Sequence, residues 1–294
     1  MRAVLPVAGA GTRLRPHTHT TPKALVHVAG KPIIGHIIDV LLPVGVDEVI
    51  LVVGRFGERI VDYVQRAYDL KVKAVEQADP KGLGHAIFLT REAADPDEPL
   101  LIVLGDTIFR ADLHAALAPG KSAIGVAPVP NPQNFGVVEV EGERIARLVE
   151  KPANPRSNLA IVGVYYLRNA GALYSALQYV VDHGIRSRGE IQLTDALQVM
   201  LDRGEEMCTF PVEEWLDCGN PEALLATNRR LLERSAANQK LPGEHVIVIP
   251  PVYIAPTARV TQSVIGPYVS IADGAVVQRS VIRNSIVNQG AEVS

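Results

Sequence analysis

Only two of the 294 residues are cysteine, Cys208 and Cys218. Two thiols at that spacing support neither a zinc site nor a disulfide scaffold, which points to a reducing, cytoplasmic setting. An excess of one charge is also missing: 29 Lys and Arg stand against 32 Asp and Glu, a formal net charge of −3. That balance argues against nucleic acid or an anionic membrane as the main partner, while local basic sites for a small phosphorylated molecule stay open. No apolar run approaches the roughly 20 residues of a membrane span. The short apolar stretch after Arg2 is broken by Pro6 and the following glycines, so it does not read as a signal peptide. The hydrophobic content of 47% suffices for a sizeable core, and the length suits one large α/β domain with a smaller appendage.

The first half alternates strand and helix signals. Apolar runs predict buried strands over 2–8, 48–53, 72–75 and 100–104, and amphipathic spacing predicts helices over 32–44, 57–67 and 84–92. This rhythm predicts a mostly parallel sheet with helices on both faces. Closely spaced strand signals over 123–128, 136–140, 145–150 and 161–167 add mixed strands at one edge. Helices are expected over 171–178, 194–203 and 222–238, the last closing a domain of residues 1–240.

Residues 241–294 differ. Helix signals vanish, and aliphatic residues recur about every six positions, at Ile254, Val260, Ile265, Ile271 and Val277. A short parallel β-helix explains the spacing, with a set of antiparallel hairpins as the alternative. The repeat still runs at Ser294 without a polar cap. Its exposed end is therefore expected either to continue or to be covered by another subunit, which suggests a homo-oligomer.

The run Val4-Leu5-Pro6-Val7 opens onto Ala8-Gly9-Ala10-Gly11-Thr12-Arg13-Leu14, with Pro16, Thr18 and Pro22-Lys23 beyond. A buried strand breaking into a small-residue loop lets backbone N–H groups approach a phosphate, and Arg13 and Lys23 add two cations. The loop has neither a third glycine at the dinucleotide position nor the Gly-Lys-Ser/Thr of a P-loop. Asp106, after an apolar strand, reads either as a metal-binding carboxylate at a sheet rim or as a turn or cap residue. Asp217 in Trp215-Leu216-Asp217-Cys218-Gly219 has the same two readings. Gln77 reads as a solvated loop amide or as a base-binding group. Glu150-Lys151-Pro152 reads as an exposed ion pair before a turn or as a binding pair. His17 and His19 read as exposed, and Trp215 as core.

Taken together, Gly11-Thr12-Arg13-Leu14-Arg15-Pro16, Thr18 and Pro22-Lys23 resemble the signature of the sugar-1-phosphate nucleotidylyltransferases. The resemblance extends over most of the chain. It is nearest to glucose-1-phosphate thymidylyltransferases of the long form, which carry a C-terminal left-handed β-helix on a Rossmann-like α/β domain. Pro6 also resembles the related glucose-1-phosphate uridylyltransferases, which keeps UTP beside dTTP as a candidate substrate.

The resemblance implies that Ala8, Gly9, Gly11, Thr12, Gln77, Gly82 and Asp106 bind the nucleotide. It implies that Gly136, Glu150, Lys151, Tyr165 and Glu190 bind the sugar phosphate, and that Arg13 and Lys23 are catalytic. It places Mg²⁺ on Asp106 and Asp217, hard oxygen donors that suit that ion. A side-chain amide at position 77 offers a donor and an acceptor to the N3–H edge of thymine or uracil. The implied activity joins a nucleoside triphosphate to a sugar 1-phosphate and releases pyrophosphate. The alternative of another class is a regulatory relative that binds nucleotide sugars without turnover.

Overall fold

The computed structural model describes residues 1–118, 120–235 and 245–294. The chain divides into two compact units, one of Met1–Ala10 and Ile37–Trp215, the other of Gly11–His36 and Leu216–Ser294.

The first unit is mixed α/β. Its strands are β1 (Arg2–Pro6), β2 (Glu48–Val53), β3 (Lys71–Glu76), β4 (Leu100–Val103), β5 (Ser122–Pro128), β6 (Gly136–Glu141), β7 (Arg144–Glu150), β8 (Leu159–Leu167) and β9 (Met207–Pro211). They form one sheet in the order β3-β2-β1-β4-β8-β5-β9-β7-β6. The first four strands run parallel, with Ala3 opposite Val49 and Leu101. β8 enters antiparallel to β4 and to β5.

The far strands do not make the simple open edge that the sequence suggests. β8 pairs with β6 as well as with β4 and β5, so β8, β5, β9, β7 and β6 close on themselves. β9 supplies the link in that ring, pairing parallel with β5 and antiparallel with β7. Its sequence, Met-Cys-Thr-Phe-Pro, has little apolar alternation and ends on proline, so it carries no strand signal of its own.

Helices α1 (Ile33–Leu41), α2 (Gly57–Ala67), α3 (Leu83–Phe88), α4 (Leu113–Leu117), α5 (Ala170–Asp182), α6 (Leu193–Asp202) and α7 (Pro221–Ser235) follow in order. The helix expected over 84–92 stops at Phe88 and tightens into a 3-10 turn over Leu89–Glu92. Alternation fixes what each strand buries. Val4, Ile50, Val52 and Ile102 join Ile87 of α3, Leu173 and Leu177 of α5, and Leu197 and Met200 of α6 in one core. Ala3, Leu5, Val49 and Leu51 lie on the other face of their strands and are fully buried too. Asn169 starts α5 by accepting the Ala172 N–H at 2.9 Å, a cap that satisfies one of the free first-turn donors.

In the second unit, residues 246–293 stack into a short parallel β-helix of three sheets. Val246 pairs with Ser263, Val252 with Val269 and Arg259 with Val276, each one coil further on. All pairings there are parallel, which removes the hairpin alternative. Val252, Ile254, Val260, Ile265, Val269, Ile271 and Val277 fill the interior, as the six-residue recurrence requires. α7 is described to Ser235, and residues 236–238 of the expected helix, like the expected boundary at 240, lie outside the described residues.

One buried amide ties this unit together. Asn228 on α7, 1% exposed, accepts from the Ala29 N–H at 2.9 Å and from Ser270 Oγ at 2.8 Å. The ring of Tyr253 lies over Gly30, where a side chain has no room. Helix, β-helix and the turn between His27–Val28 and Lys31–Pro32 thus share one set of contacts.

Candidate active site

In the first unit, the parallel strands bring their carboxyl ends to one rim, where ligands of open α/β sheets gather. Ala8 and Gly9 follow β1, Gln77 follows β3, and Gly105-Asp106 follow β4. Gly54, after β2, lies so close to the Ala8 carbonyl that a Cβ there would stand 2.8 Å from it. Gln77 extends the ladder by one residue, donating its backbone N–H to the Val53 carbonyl at 2.8 Å.

The Gln77 side chain is almost buried. Its Nε2 donates to the Gly82 carbonyl at 3.3 Å and lies 3.1 Å from His85 Nδ1. Gly82 holds φ of +113°, and a side chain there would run into the Ile191 carbonyl. The Ile191 N–H donates to the Lys81 carbonyl at 2.9 Å, and the Gly84 N–H donates to the Ile191 carbonyl at 2.8 Å. Burial pushes the His85 imidazole below its usual pKa, and the Lys81 charge adds to the effect.

Glu150 ends β7 opposite Gly136 of β6. Its side chain is 9% exposed. Thr194 Oγ1 donates to Glu150 Oε2 at 2.7 Å, and Lys151 Nζ lies 3.6 Å from Oε1. A Cβ at Gly136 would stand 3.2 Å from both Glu150 Oε2 and Thr194 Oγ1, so the glycine leaves that face of the carboxylate open. Arg188 donates to the Lys151 carbonyl at 3.0 Å. Both residues hold left-handed backbone, φ 42° for Lys151 and 57° for Arg188, a strain that surrounding contacts must sustain. Tyr165 sits in the hydrophobic core at 3% exposure, where burial and then the Glu150 charge push its phenol pKa up.

The segment from Ser187 to Asp195 links these groups. Glu190 is exposed and accepts from Gln192 Nε2 at 3.2 Å, and its Cβ would stand 2.9 Å from a Cβ placed on Gly82. Asp195 Oδ1 accepts from Ser187 at 2.9 Å, while Oδ2 is buried with no partner among the described residues. Burial raises the Asp195 pKa, and the Glu150 charge adds to it. So Gln77, Gly82 and Glu190 come together, as do Gly136, Glu150 and Lys151, and residues 190–194 join the two groups. Thr194, Gln192 and His85 carry no sequence signal beyond helix and loop composition. Hydrogen bonds mark them instead: Thr194 to Glu150, 44 positions earlier, His85 to Gln77, eight earlier, and Gln192 to Glu190, two earlier.

In the second unit, Gly11 adopts φ of 59° before a single turn over Thr12–Leu14. Thr18 Oγ1 donates to the Gly11 carbonyl at 2.7 Å, and a Cβ at Gly11 would stand 2.9 Å from Thr18 Cγ2 and 3.1 Å from Lys23 Cβ. The loop therefore folds tightly enough to set Lys23 beside Gly11. Arg13 and Asp217 both reach toward Gly219. A Cβ at Gly219 would stand 2.9 and 3.0 Å from the two Asp217 carboxylate oxygens and 3.1 Å from Arg13 Nη2. Thr227 Oγ1 donates to the Asp217 carbonyl at 2.9 Å and fixes the turn ahead of α7. His17 and His19 are exposed. Among the described residues no three or more His, Cys, Asp or Glu side chains form a metal-binding group. No described helix is long and apolar enough to cross a membrane.

Residues 2–234 match the nucleotidyl transferase family. The chain belongs to that family. Among its relatives, a glucose-1-phosphate thymidylyltransferase of Streptomyces griseus is 32% identical over all of this chain and 89% of its own length. A glucose-1-phosphate thymidylyltransferase of Streptomyces antibioticus is 31% identical over 98% of this chain and 87% of its own. Among solved structures, an apo UDP-glucose pyrophosphorylase superposes with a TM-score of 0.71 at 24% identity, over 80% of this chain and 98% of its own, which shows a common fold.

Proposed function

We propose that this chain joins dTTP to glucose 1-phosphate, giving a nucleoside diphosphate sugar and pyrophosphate. The observation that carries the reading is the approach of Arg13 Nη2 and of both Asp217 carboxylate oxygens to one point above Gly219, with Lys23 beside Gly11 in the glycine loop that carries Arg13. The two Streptomyces thymidylyltransferases support the choice of substrates, since they align along nearly the whole chain. UTP shares the N3–H edge of dTTP and is the competing triphosphate.

In this reaction a sugar phosphate oxygen attacks the α-phosphorus, the bond to the β-phosphate oxygen breaks, and pyrophosphate leaves. The nucleophile is already an anion, so no general base is required, and the protein's task is to position two polyanions and offset their charge. Arg13 holds the leaving phosphates, Lys23 faces the α-phosphoryl oxygens, and Lys151 orients the attacking phosphate. Ala8, Gly9, Gly11 and Thr12 offer backbone groups to the triphosphate, while Gln77 and Gly82 take the base. Glu150, opposite Gly136, accepts from the sugar hydroxyls, with Glu190 contributing from beside Gly82 and Tyr165 supporting from the core.

Asp106 and Asp217 are the carboxylates that would hold Mg²⁺. Both are hard oxygen donors, and the small residue at 219 leaves both Asp217 oxygens accessible, so the donors fit that ion with phosphate oxygens and water completing its shell. When bound, the ion supplies charge neutralisation on the transferring phosphoryl group.

The proposed division is a Rossmann-like catalytic domain over 1–240 and a left-handed β-helix over 241–294 that serves assembly of a homo-oligomer. Gel filtration of a version ending near Gly243 tests the second part, and an unchanged oligomer would refute it. The catalytic reading is tested by pyrophosphate release from each nucleoside triphosphate with a panel of sugar 1-phosphates. Release with dTTP or UTP, lost in Arg13→Ala and Asp217→Asn, is the expected result. Nucleotide-sugar binding without turnover would instead support the regulatory alternative.

A further inference from the structure

The contacts of Gln77 settle which way its amide faces. The Gly82 carbonyl can only accept, so the Gln77 atom 3.3 Å from it is the amino nitrogen. The same nitrogen lies 3.1 Å from His85 Nδ1. An N–H can be received there only by an unprotonated Nδ1, which makes the ring neutral with its proton on Nε2. Burial and Lys81 lower the His85 pKa, in keeping with a neutral ring. Both amino hydrogens are thus engaged within the protein. Oε1 accepts from no described residue and remains for a ligand.

We propose that His85 is a positioning residue that locks the Gln77 amide so that a base meets only its carbonyl oxygen. Such a site favours uracil and thymine, which carry N3–H, and disfavours cytosine, whose N3 is itself an acceptor. Two acceptors facing each other leave a buried pairing unmade, the kind of mismatch that discriminates strongly. Remove the ring acceptor and one amino hydrogen is released, so the amide keeps a single anchor and can turn an N–H toward cytosine. The proposal rests on the nucleotide-binding role given to Gln77 above.

The test is calorimetric binding of UTP and CTP to the full chain in four forms: wild type, His85→Ala, His85→Leu and His85→Asn. Asparagine places its Oδ1 where Nδ1 stood and restores the acceptor. The UTP-to-CTP affinity ratio is expected to fall at least tenfold in His85→Ala and His85→Leu and to recover in His85→Asn. A ratio unmoved in the first two, or lowered equally in all three, overturns the lock. Nitrogen NMR of the wild-type imidazole gives a check that needs no variant: an unprotonated Nδ1 supports the proposal and a protonated Nδ1 refutes it. Pyrophosphate release by the wild type is read separately. Turnover with an unmoved ratio overturns only the role of His85. Failure of the wild type to bind either triphosphate overturns the role of Gln77 as well.

Discussion

Replacing Gly219 by alanine should separate folding from activity. The added Cβ would stand 2.9 and 3.0 Å from the Asp217 oxygens and 3.1 Å from Arg13 Nη2, all inside ordinary contact distance. The three nearest atoms are the far ends of flexible, exposed side chains, which can yield without moving the backbone. Gly219 does not use the left-handed region either. Alanine therefore gains about 0.4–1 kcal/mol by restricting the unfolded chain. Turning those two side-chain ends aside costs a comparable amount, so net stability should change by less than about 1 kcal/mol. Activity has no such compensation. Both displaced groups are assigned to phosphate or to its counter-ion, and misplacing one preorganised group costs about 2.7–4 kcal/mol of barrier, roughly 100- to 1000-fold in rate. The assay is steady-state pyrophosphate release alongside a thermal melt of the same preparation. Turnover within about threefold of wild type would show that neither side chain grips the substrates from its present position.

Three further outcomes follow from other sites. Gly82→Ala meets backbone at the Ile191 carbonyl in a left-handed conformation, so it should lower stability by about 2 kcal/mol or more in denaturant unfolding and weaken triphosphate binding with it. Asn228→Ala leaves the Ala29 N–H and Ser270 hydroxyl without their buried acceptor, and chemical denaturation should show a loss of about 1–3 kcal/mol. Glu48 accepts from Arg2 Nε at 2.9 Å and from Lys73 Nζ at 3.0 Å. Burial opposes ionisation of Glu48, yet Lys73 and Arg2 prevail and hold its carboxyl below the usual value. A depressed carboxylate stabilises the fold above the unfolded-state pKa of about 4.3 and loses that contribution as pH falls through the native value. Glu48→Gln should therefore be less stable than wild type near neutrality, with the gap closing in acid melts.

Much of the first unit was legible because its strands announce themselves. Glu48–Val53 and Leu100–Val103 are buried along their whole length and consist almost entirely of aliphatic residues, which single-sequence patterning detects. The aliphatic recurrence after Val252 revealed the coils for the same reason. β9 stayed hidden because a short strand inside a closed ring takes its identity from neighbours, β5 and β7, that lie far away in sequence. The site shows the same division. Arg13, Lys23, Gln77 and Glu150 stand in compact motifs, whereas Thr194 matters through a hydrogen bond to a residue 44 positions earlier. His85 looks like any polar residue in a short helix until its ring is found against Gln77.

The contact between Ala29 and Asn228 bridges 199 positions. On the ribosome, the segment carrying Gly11, Arg13 and Lys23 thus emerges long before the helix and coils that hold it. Ser270 and Tyr253, which complete that packing, come later still. Earlier in synthesis the loop can only wait, and its native shape is set only after Asn228 and Ser270 have emerged. Any shortened product that stops before Asn228 would keep the glycine motif in its sequence and lack the anchor that shapes it.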